Sequence, residues 1–172
     1  SGDSRAFCNK SAWRRFLIVL MGAVFNLVFG LILVAIILAP QKVFVSTTIA
    51  EFSENAVTQQ SGLQVDDKII EIEGRKLMGV YDMNYAFTNV EDGALDMVVL
   101  RDGKKVELKD VKFETEKEQG ITYLKWDFKV YGIKKTVWNY VKQTFSTTVS
   151  YCMIIWRSLL DMLGGKYGIS AM

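Results

Sequence analysis

The sequence predicts an α+β membrane protein with one transmembrane helix, a small β-rich domain and a C-terminal membrane-associated amphipathic helix. Three observations support this fold class. The stretch Phe16 to Leu38 is almost entirely apolar and carries no charge. The middle of the chain alternates apolar and charged residues around an Asp-Gly pair. The stretch Val137 to Leu163 places large apolar side chains at helical spacing among serines and threonines.

The helix predicted for residues 16–40 is long enough to cross a membrane. At about 1.5 Å per residue, its uncharged run extends for roughly 34 Å, whereas a hydrocarbon core is about 30 Å thick. A buried helix of a soluble domain is the alternative, although such helices rarely run so far without a charge. Pro40 ends the helix because proline cannot continue the helical hydrogen bonds.

Residues 1–15 form a basic segment that predicts the orientation of this helix. The segment contains one acidic side chain, Asp3, and four basic side chains, which are Arg5, Lys10, Arg14 and Arg15. Lysine and arginine concentrate on the cytoplasmic side of membrane helices. The sequence therefore predicts a cytoplasmic N-terminus and an extracytoplasmic position for the domain that follows the helix.

Gly22, Asn26 and Gly30 recur every four residues and form one stripe on the apolar helix. Glycines allow a second helix to approach closely, and a buried amide seeks a partner across such a contact. The stripe therefore predicts packing against other membrane helices. A direct functional role for Asn26 is the alternative, since polar groups inside a membrane commonly mark functional sites.

Residues 43–118 are predicted to form the β-rich domain. Val43 to Phe52 is β-branched and aromatic, which favours one or two strands, and Lys68 to Glu73 favours another. The clearest feature is a hairpin in which Ala94 to Arg101 and Lys104 to Lys109 flank an Asp-Gly pair. Asp-Gly supplies the positive φ angles that a type I′ turn needs.

Two further segments complete the predicted domain. Asn55 to Gln60 can form a short helix, and Tyr81 to Thr88 has apolar residues at helical spacing, with Asp82 as a capping residue. Residues 119–133 are predicted to be a connecting segment, in which Ile121 to Val130 can add a strand.

Residues 134–172 are predicted to be a membrane-associated helix and tail. No charge occurs between Gln143 and Trp156, but serines and threonines make this stretch too polar for a typical membrane span. A helix that lies at the interface, or packs beside other membrane helices, fits this composition better. A soluble amphipathic helix is the alternative.

The composition excludes several kinds of chemistry. The chain has no histidine, which excludes Ser-His and Cys-His catalytic pairs and histidine zinc ligands. Its two cysteines, Cys8 and Cys152, are isolated, so a structural disulfide and a CxxC site are not expected. A net charge of +2 gives no reason to expect nucleic acid as a partner.

The N-terminal segment and the apolar helix resemble the second membrane helix of bacterial site-2 proteases, which are membrane-embedded zinc metalloproteases. The matching lead-in residues are Phe7, Asn9, Lys10, Trp13 and Arg15. Gly22 to Asn26 resembles the G-P-x-x-N motif of that family, with Ala23 in place of the usual proline. That departure affects the local helix geometry rather than the placement of the motif.

The middle of the chain resembles a bacterial PDZ domain, which implies a PDZ-like fold for residues 43–118. The matching positions are Ser61, Gly62, Leu63, Asp67, Ile69, Ile72 and Gly74. Asp66 replaces the glycine that usually precedes the aspartate. The tail of the chain looks like the membrane-associated helix that follows the PDZ domain in the same family.

The resemblance implies that this chain is an internal fragment of a site-2 protease in the bacterial inner membrane. Family members carry an HExxH zinc motif upstream of such a segment and an aspartate ligand in an LDG motif downstream. The parent enzyme would hold zinc, whereas this chain has no catalytic or metal-binding residue to assign and would be inactive alone.

The implied function is regulated intramembrane proteolysis of membrane-spanning substrates, with the PDZ-like domain as a gate. The predicted peptide-binding residues are Ile49, Tyr81 and Tyr85, between the first strand and the helix at Tyr81 to Thr88. These three side chains can instead fill the core. The predicted partners are membrane-spanning substrates or peptide termini, other membrane helices and the lipid bilayer. A self-contained, membrane-anchored PDZ module without catalysis is the alternative.

Overall fold

The computed structural model describes residues 11–88, 90, 92–118 and 121–164. It divides the chain into an N-terminal unit, Ser1–Pro40, and a C-terminal unit, Gln41–Met172. The features predicted within residues 1–10, including Cys8 and most of the basic segment, lie outside the described residues. The end of the predicted tail, after Gly164, lies outside them as well.

The described part of the N-terminal unit forms one continuous helix, α1, at Ala12–Leu38. It begins about one turn before the predicted start at Phe16 and ends at Leu38, two residues before the predicted end at Pro40. The backbone N–H of Ala39 donates to the carbonyl of Ala35 and closes the last turn. By length and composition, α1 is the helix in the described part of the chain that is able to cross a membrane.

The described residues of the C-terminal unit form eight strands and three helices. In chain order they are β1 Val43–Phe52, α2 Val57–Gln60, β2 Lys68–Ile72, β3 Arg75–Lys76, α3 Val80–Ala86, β4 Ala94–Arg101, β5 Lys104–Lys112, β6 Thr115–Glu118, β7 Ile121–Leu124, β8 Phe128–Lys134 and α4 Val137–Leu163. The strands with α2 and α3 are called the β-domain below.

The main sheet is antiparallel, with the strand order β5-β4-β2-β1-β8 and with β3 paired to β2. A second, two-stranded sheet is formed by β6 and β7. The predicted strand from Val43 to Phe52 and the predicted hairpin are confirmed. Asp102 and Gly103 have φ angles of 49° and 76°, which are the positive values expected for a type I′ turn.

The segment 119–133 is more than the predicted connection. Its second half forms β8, which pairs with β1 along most of its length and makes one edge of the main sheet. Asp127, just before β8, accepts hydrogen bonds from the backbone N–H and the hydroxyl of Thr58 in α2, at 2.9 and 2.6 Å. These long-range contacts make the segment an integral part of the β-domain.

The core of the β-domain includes residues from most of its elements. Its fully buried side chains include Ile49, Leu63, Ile69, Ile72, Met83, Met97, Val99 and Val111. Phe87 stacks edge-to-face on Phe113 and Trp126, with ring centroids 4.9 and 5.4 Å apart. Burial of this apolar surface holds the sheet and α3 together.

Candidate functional site

The three predicted peptide-binding residues do not line a common groove. Ile49 is fully buried in the core. The Tyr81 ring lies 5.2 Å from that of Tyr151, and the Tyr85 hydroxyl donates to Asp161 at 2.8 Å. Both tyrosines of α3 therefore contact α4. In addition, β1 lies between β2 and β8 rather than at a sheet edge. Peptide binding by these residues stays a prediction.

Helix α4 packs on the β-domain with its small polar side chains inward. Thr144, Thr147, Thr148 and Ser150 are more than nine-tenths buried. The Ser146 hydroxyl donates to the carbonyl of Met78 at 2.6 Å. Most of the exposed side chains of α4 are apolar or aromatic, and they include Val137, Trp138, Val141, Phe145, Ile155, Trp156, Leu160 and Leu163. The helix thus presents an apolar face away from the domain that holds it.

A buried carboxylate joins α3 to α4. Asp82 stands in the first turn of α3, where one of its oxygens accepts from the backbone N–H groups of Met78 and Gly79, at 2.9 and 3.2 Å. The Ser150 hydroxyl donates to the same oxygen at 2.6 Å. Arg157 places a guanidinium nitrogen 3.8 Å from the other oxygen. Asp82 is therefore a capping residue, as predicted, and also fixes α4.

A cleft of about 350 Å³ opens beside this contact. Its walls come from four places: the middle of β1, Tyr131 and Ile133 of β8, the two residues before α3, and the first turns of α4. Lys68 at the start of β2 and Lys142 on α4 also line it. The cleft is therefore bordered by two lysines and by hydroxyl and amide side chains.

A bulge in β1 shapes this cleft. Val45 pairs with Gly132 and Ile49 pairs with Val130, so three residues of β1 stand opposite one residue of β8. Neither Ser46 nor Thr47 has a register partner in β2 or β8. A bulge bends its strand and re-aims its side chains. No sequence pattern indicates this bulge, because the serine and threonines of β1 are also ordinary strand residues.

The aspartates of the PDZ-like motif have structural roles. Asp67 is fully buried, and Arg101 of β4 binds both of its oxygens at 2.8 and 2.7 Å. Asp66 has φ +71°, the left-handed region that favours the glycine usual at this position. The Tyr131 hydroxyl donates to Asp66 at 2.9 Å, and this hydrogen bond to a carboxylate raises the pKa of Tyr131.

The described residues do not fit a zinc site. The chain has no histidine, and the described residues contain no group of three cysteine or acidic side chains that could hold a metal ion. Zinc in proteins is bound by three or four such ligands. The described part of this chain therefore does not supply a set of zinc ligands.

The predicted packing stripe lies on α1, with Gly22 and Asn26 exposed and Gly30 half-buried. No atom among the described residues, apart from the local backbone of α1, lies within 4 Å of where a Cβ of either glycine would stand. The stripe has room for a close neighbour. Its packing against other membrane helices stays a prediction.

Comparisons with known proteins agree with the resemblance seen in the sequence. The family model described as "Peptidase family M50" matches residues 2–172. The chain is 32% identical over 114 residues to "Putative zinc metalloprotease SACOL1281" of Staphylococcus aureus strain COL, which covers 66% of this chain and 26% of that protein.

A second relative matches almost the whole chain. The chain is 28% identical over 168 residues to "Putative zinc metalloprotease CA_C1796" of Clostridium acetobutylicum, covering 96% of this chain and 48% of that protein. The chain thus spans between about a quarter and about half the length of these curated relatives. Since the family model matches nearly every residue, this chain belongs to peptidase family M50, the membrane-embedded site-2 protease family.

Proposed function

We propose that this chain is the middle part of a site-2-type zinc metalloprotease that cleaves membrane-spanning substrates within the bilayer. The observation that carries the proposal is the match of the M50 family model to residues 2–172 of a chain that lacks histidine. A zinc protease needs ligands and a general base near its metal. In this proposal those groups come from other segments of the parent protein.

Within the parent enzyme, α1 serves as a scaffold helix of the membrane bundle. Its length and apolar surface support a transmembrane position, and the Gly22-Asn26-Gly30 stripe supports close contact with a neighbouring helix. The basic residues before it favour a cytoplasmic N-terminus in the bacterial inner membrane. The β-domain then lies on the extracytoplasmic side.

The β-domain, proposed to be PDZ-like, controls which substrates reach the membrane-embedded site. In this proposal, helix α4 connects the β-domain to the membrane interface. Its polar face is bonded to the β-domain through Ser146 and Ser150, while exposed rings such as Trp138 and Trp156 suit the membrane interface. The domain would thereby be held close to the bilayer, where a substrate helix enters.

The test is to identify the coding sequence that contains this chain and to assay its full product in liposomes. We expect an HExxH motif in an apolar segment before residue 1, an Asp-Gly pair in one after residue 172, and cleavage of a transmembrane reporter. Replacement of the HExxH glutamate by glutamine should abolish cleavage. A reading frame without either motif would contradict the protease proposal.

A membrane-anchored binding module without catalysis is the second candidate. The observation that favours it is the cleft beside α4, which is lined by residues of the β-domain and of α4. The same full-length product decides between the two functions. A protein that captures peptides but leaves every transmembrane reporter intact would support the module.

A further inference from the structure

We infer that a lysine cluster at the start of α4 binds the phosphate headgroups of a bilayer that contains anionic phospholipid. The cluster is called the basic end below, and it consists of Lys42, Lys134, Lys135 and Lys142. This inference rests on the proposed function, because it names the lipid that α4 meets at the membrane. It adds a requirement for lipid charge and identifies the end of α4 at which that charge is met.

The pairing of β1 with β8 brings the basic end together. Val43 pairs with Lys134 at one end of this ladder. Lys42 and Lys135 are the next residues on the two strands, so they lie at the same end. Lys142 stands on the second turn of α4 and lines the cleft beside β8. All four lysines are exposed, and three separate segments of the chain contribute them.

Acidic residues are absent from the segments that form the basic end. Between Asp127 and Asp161 the sequence contains five basic residues and no acidic one. Between Asp3 and Glu51 it contains no acidic residue either. Like charges at neighbouring positions of a sheet repel each other. An anion that lies against these lysines would therefore relieve a repulsion within the folded domain.

Ion pairs neutralise only part of this positive charge. Lys129 binds Glu51 at 2.5 Å, at the other end of the β1–β8 ladder, and Arg157 lies 3.8 Å from Asp82. The ion pairs found among the described residues do not include three lysines of the basic end, which are Lys42, Lys134 and Lys142. Their charges are available to an external anion.

Two carboxylates near the cleft do not reverse the sign of this surface. Asp82 is fully buried and bonds to the two N–H groups before α3, with the guanidinium of Arg157 beside it. Asp66 is exposed and accepts the hydroxyl of Tyr131 at 2.9 Å. Even with Asp66 counted in full, four positive charges stand against one negative charge. The basic end therefore attracts anions.

The apolar side chains next to the basic end indicate what kind of anion it meets. Val137 and Trp138 follow the lysines directly and are 84% and 75% exposed. Val141 and Phe145 continue this exposed face along α4. A bilayer offers phosphates at its surface and acyl chains beneath, so it matches lysines beside aromatic and aliphatic groups. Lysine stems can lie along apolar surface while their ammonium groups reach the phosphates. A soluble anion would leave the apolar face uncovered.

The test measures contact between α4 and lipid in the full chain, reconstituted in liposomes. Cys8→Ser leaves Cys152, which is exposed on α4, as the single site for an environment-sensitive dye. Spin-labelled acyl chains quench the dye where α4 touches the bilayer, and α1 carries no dye. The liposomes contain phosphatidylcholine with increasing amounts of phosphatidylglycerol, which is anionic.

Two triple variants remove the same amount of positive charge from different places. The first replaces lysines of the basic end and is Lys42→Gln/Lys134→Gln/Lys142→Gln. The control replaces exposed lysines of β5, at the opposite edge of the main sheet from β8, and is Lys104→Gln/Lys105→Gln/Lys112→Gln. Unchanged hydrogen exchange of the β-domain in both variants excludes misfolding as the cause of any difference.

We expect quenching to increase with the fraction of phosphatidylglycerol. A lysine near an anionic bilayer contributes a factor of about five to the ratio of bound to free α4. The basic-end variant should therefore lower this ratio on the order of a hundredfold in anionic liposomes. The control variant should behave like the wild type. Raising the salt from about 0.05 M to about 0.5 M should reduce quenching, because salt screens exposed charges.

Three results would overturn the inference: no quenching in any liposome, equal quenching in neutral and anionic liposomes, or an equal loss in the two triple variants. Equal quenching would assign the lysines to a soluble anion or an acidic protein instead of lipid. These failures are separate from failure of the proposed function. Cleavage of a transmembrane reporter by the parent protein would stand even if α4 ignored the charge of the bilayer.

Discussion

The hydroxyl of Ser150 donates a 2.6 Å hydrogen bond to the buried carboxylate of Asp82, and this bond links α4 to the first turn of α3. Both residues are fully buried. The other oxygen of Asp82 has no hydrogen-bond partner among the described residues, although Arg157 lies 3.8 Å away. Asp82 thus depends on Ser150 and on two backbone N–H groups to offset the cost of burying its charge.

Replacing Ser150 by alanine is expected to destabilise the attachment of α4 to the β-domain. The change removes a donor to a buried charge, which costs about 2 kcal/mol. Hydrogen exchange of the full chain in detergent should show faster exchange in α3 and α4, with the core strands less affected. Cys152→Ala is the control, because Cys152 lies on α4 and is exposed. Equal protection of α4 in both variants would contradict this role of Ser150.

Replacing Arg101 by methionine is expected to destabilise the β-domain by about 3 kcal/mol. Asp67 is fully buried and Arg101 binds both of its oxygens, so the variant leaves an uncompensated buried charge. Arg101 also donates to the carbonyl of Gly62 at 2.9 Å. Urea unfolding followed by tryptophan fluorescence, to which Trp126 at the core contributes, measures the free energy of unfolding.

The matched control for Arg101 is Lys129→Met, which breaks an exposed pair with Glu51 on the same sheet. Exposed ion pairs contribute little, so its free energy of unfolding should change by less than about 1 kcal/mol. If both variants lost the same small amount, Asp67 and Arg101 would not be a structural pair.

Replacing Asp66 by glycine tests two opposing effects at one position. Asp66 has φ +71°, and a non-glycine residue in this region costs on the order of 1 kcal/mol. Glycine removes that strain but also removes the exposed hydrogen bond from Tyr131. We expect Asp66→Gly to be more stable than Asp66→Ala, which keeps the strain and loses the bond. Urea unfolding compares them, and equal stabilities would show that the left-handed conformation costs nothing here.

The sequence predicted those elements whose causes are local. Pro40 marked the end of α1, and the Asp102–Gly103 pair marked the hairpin, because the conformational restrictions of these residues act within a few positions. The pairing of β8 with β1 was missed, since it joins residues far apart in the chain. Helical periodicity likewise predicted two faces for α4 but not that Thr144 and Ser150 would face inward. The cleft is formed where the β1–β8 pair meets the inward face of α4. It therefore depends on both of these long-range features, and no local sequence pattern indicated it.

Asp96 is expected to make the stability of the β4–β5 hairpin depend on acid pH. Its carboxylate accepts from Lys109 at 2.7 Å and from the backbone N–H of Asp110 at 3.0 Å, and these hydrogen bonds hold the pKa of Asp96 below its ordinary value of 3.8. A carboxyl group with a lowered pKa in the folded state stabilises the fold above its unfolded pKa. This contribution is lost as the pH falls through the folded pKa, so the relevant range lies below about pH 4.

The pH dependence of Asp96 is measured as the free energy of unfolding in urea, in steps from about pH 6 to about pH 2. Asp96→Asn should flatten the curve below about pH 4, because an amide does not titrate there. Lys109→Met should flatten it in part, since the largest cause of the lowered pKa is the hydrogen bond from Lys109 and the bond from Asp110 remains. A Lys109→Met curve as steep as that of the wild type would contradict the prediction, because it would show that Lys109 does not lower the pKa of Asp96 in the folded state.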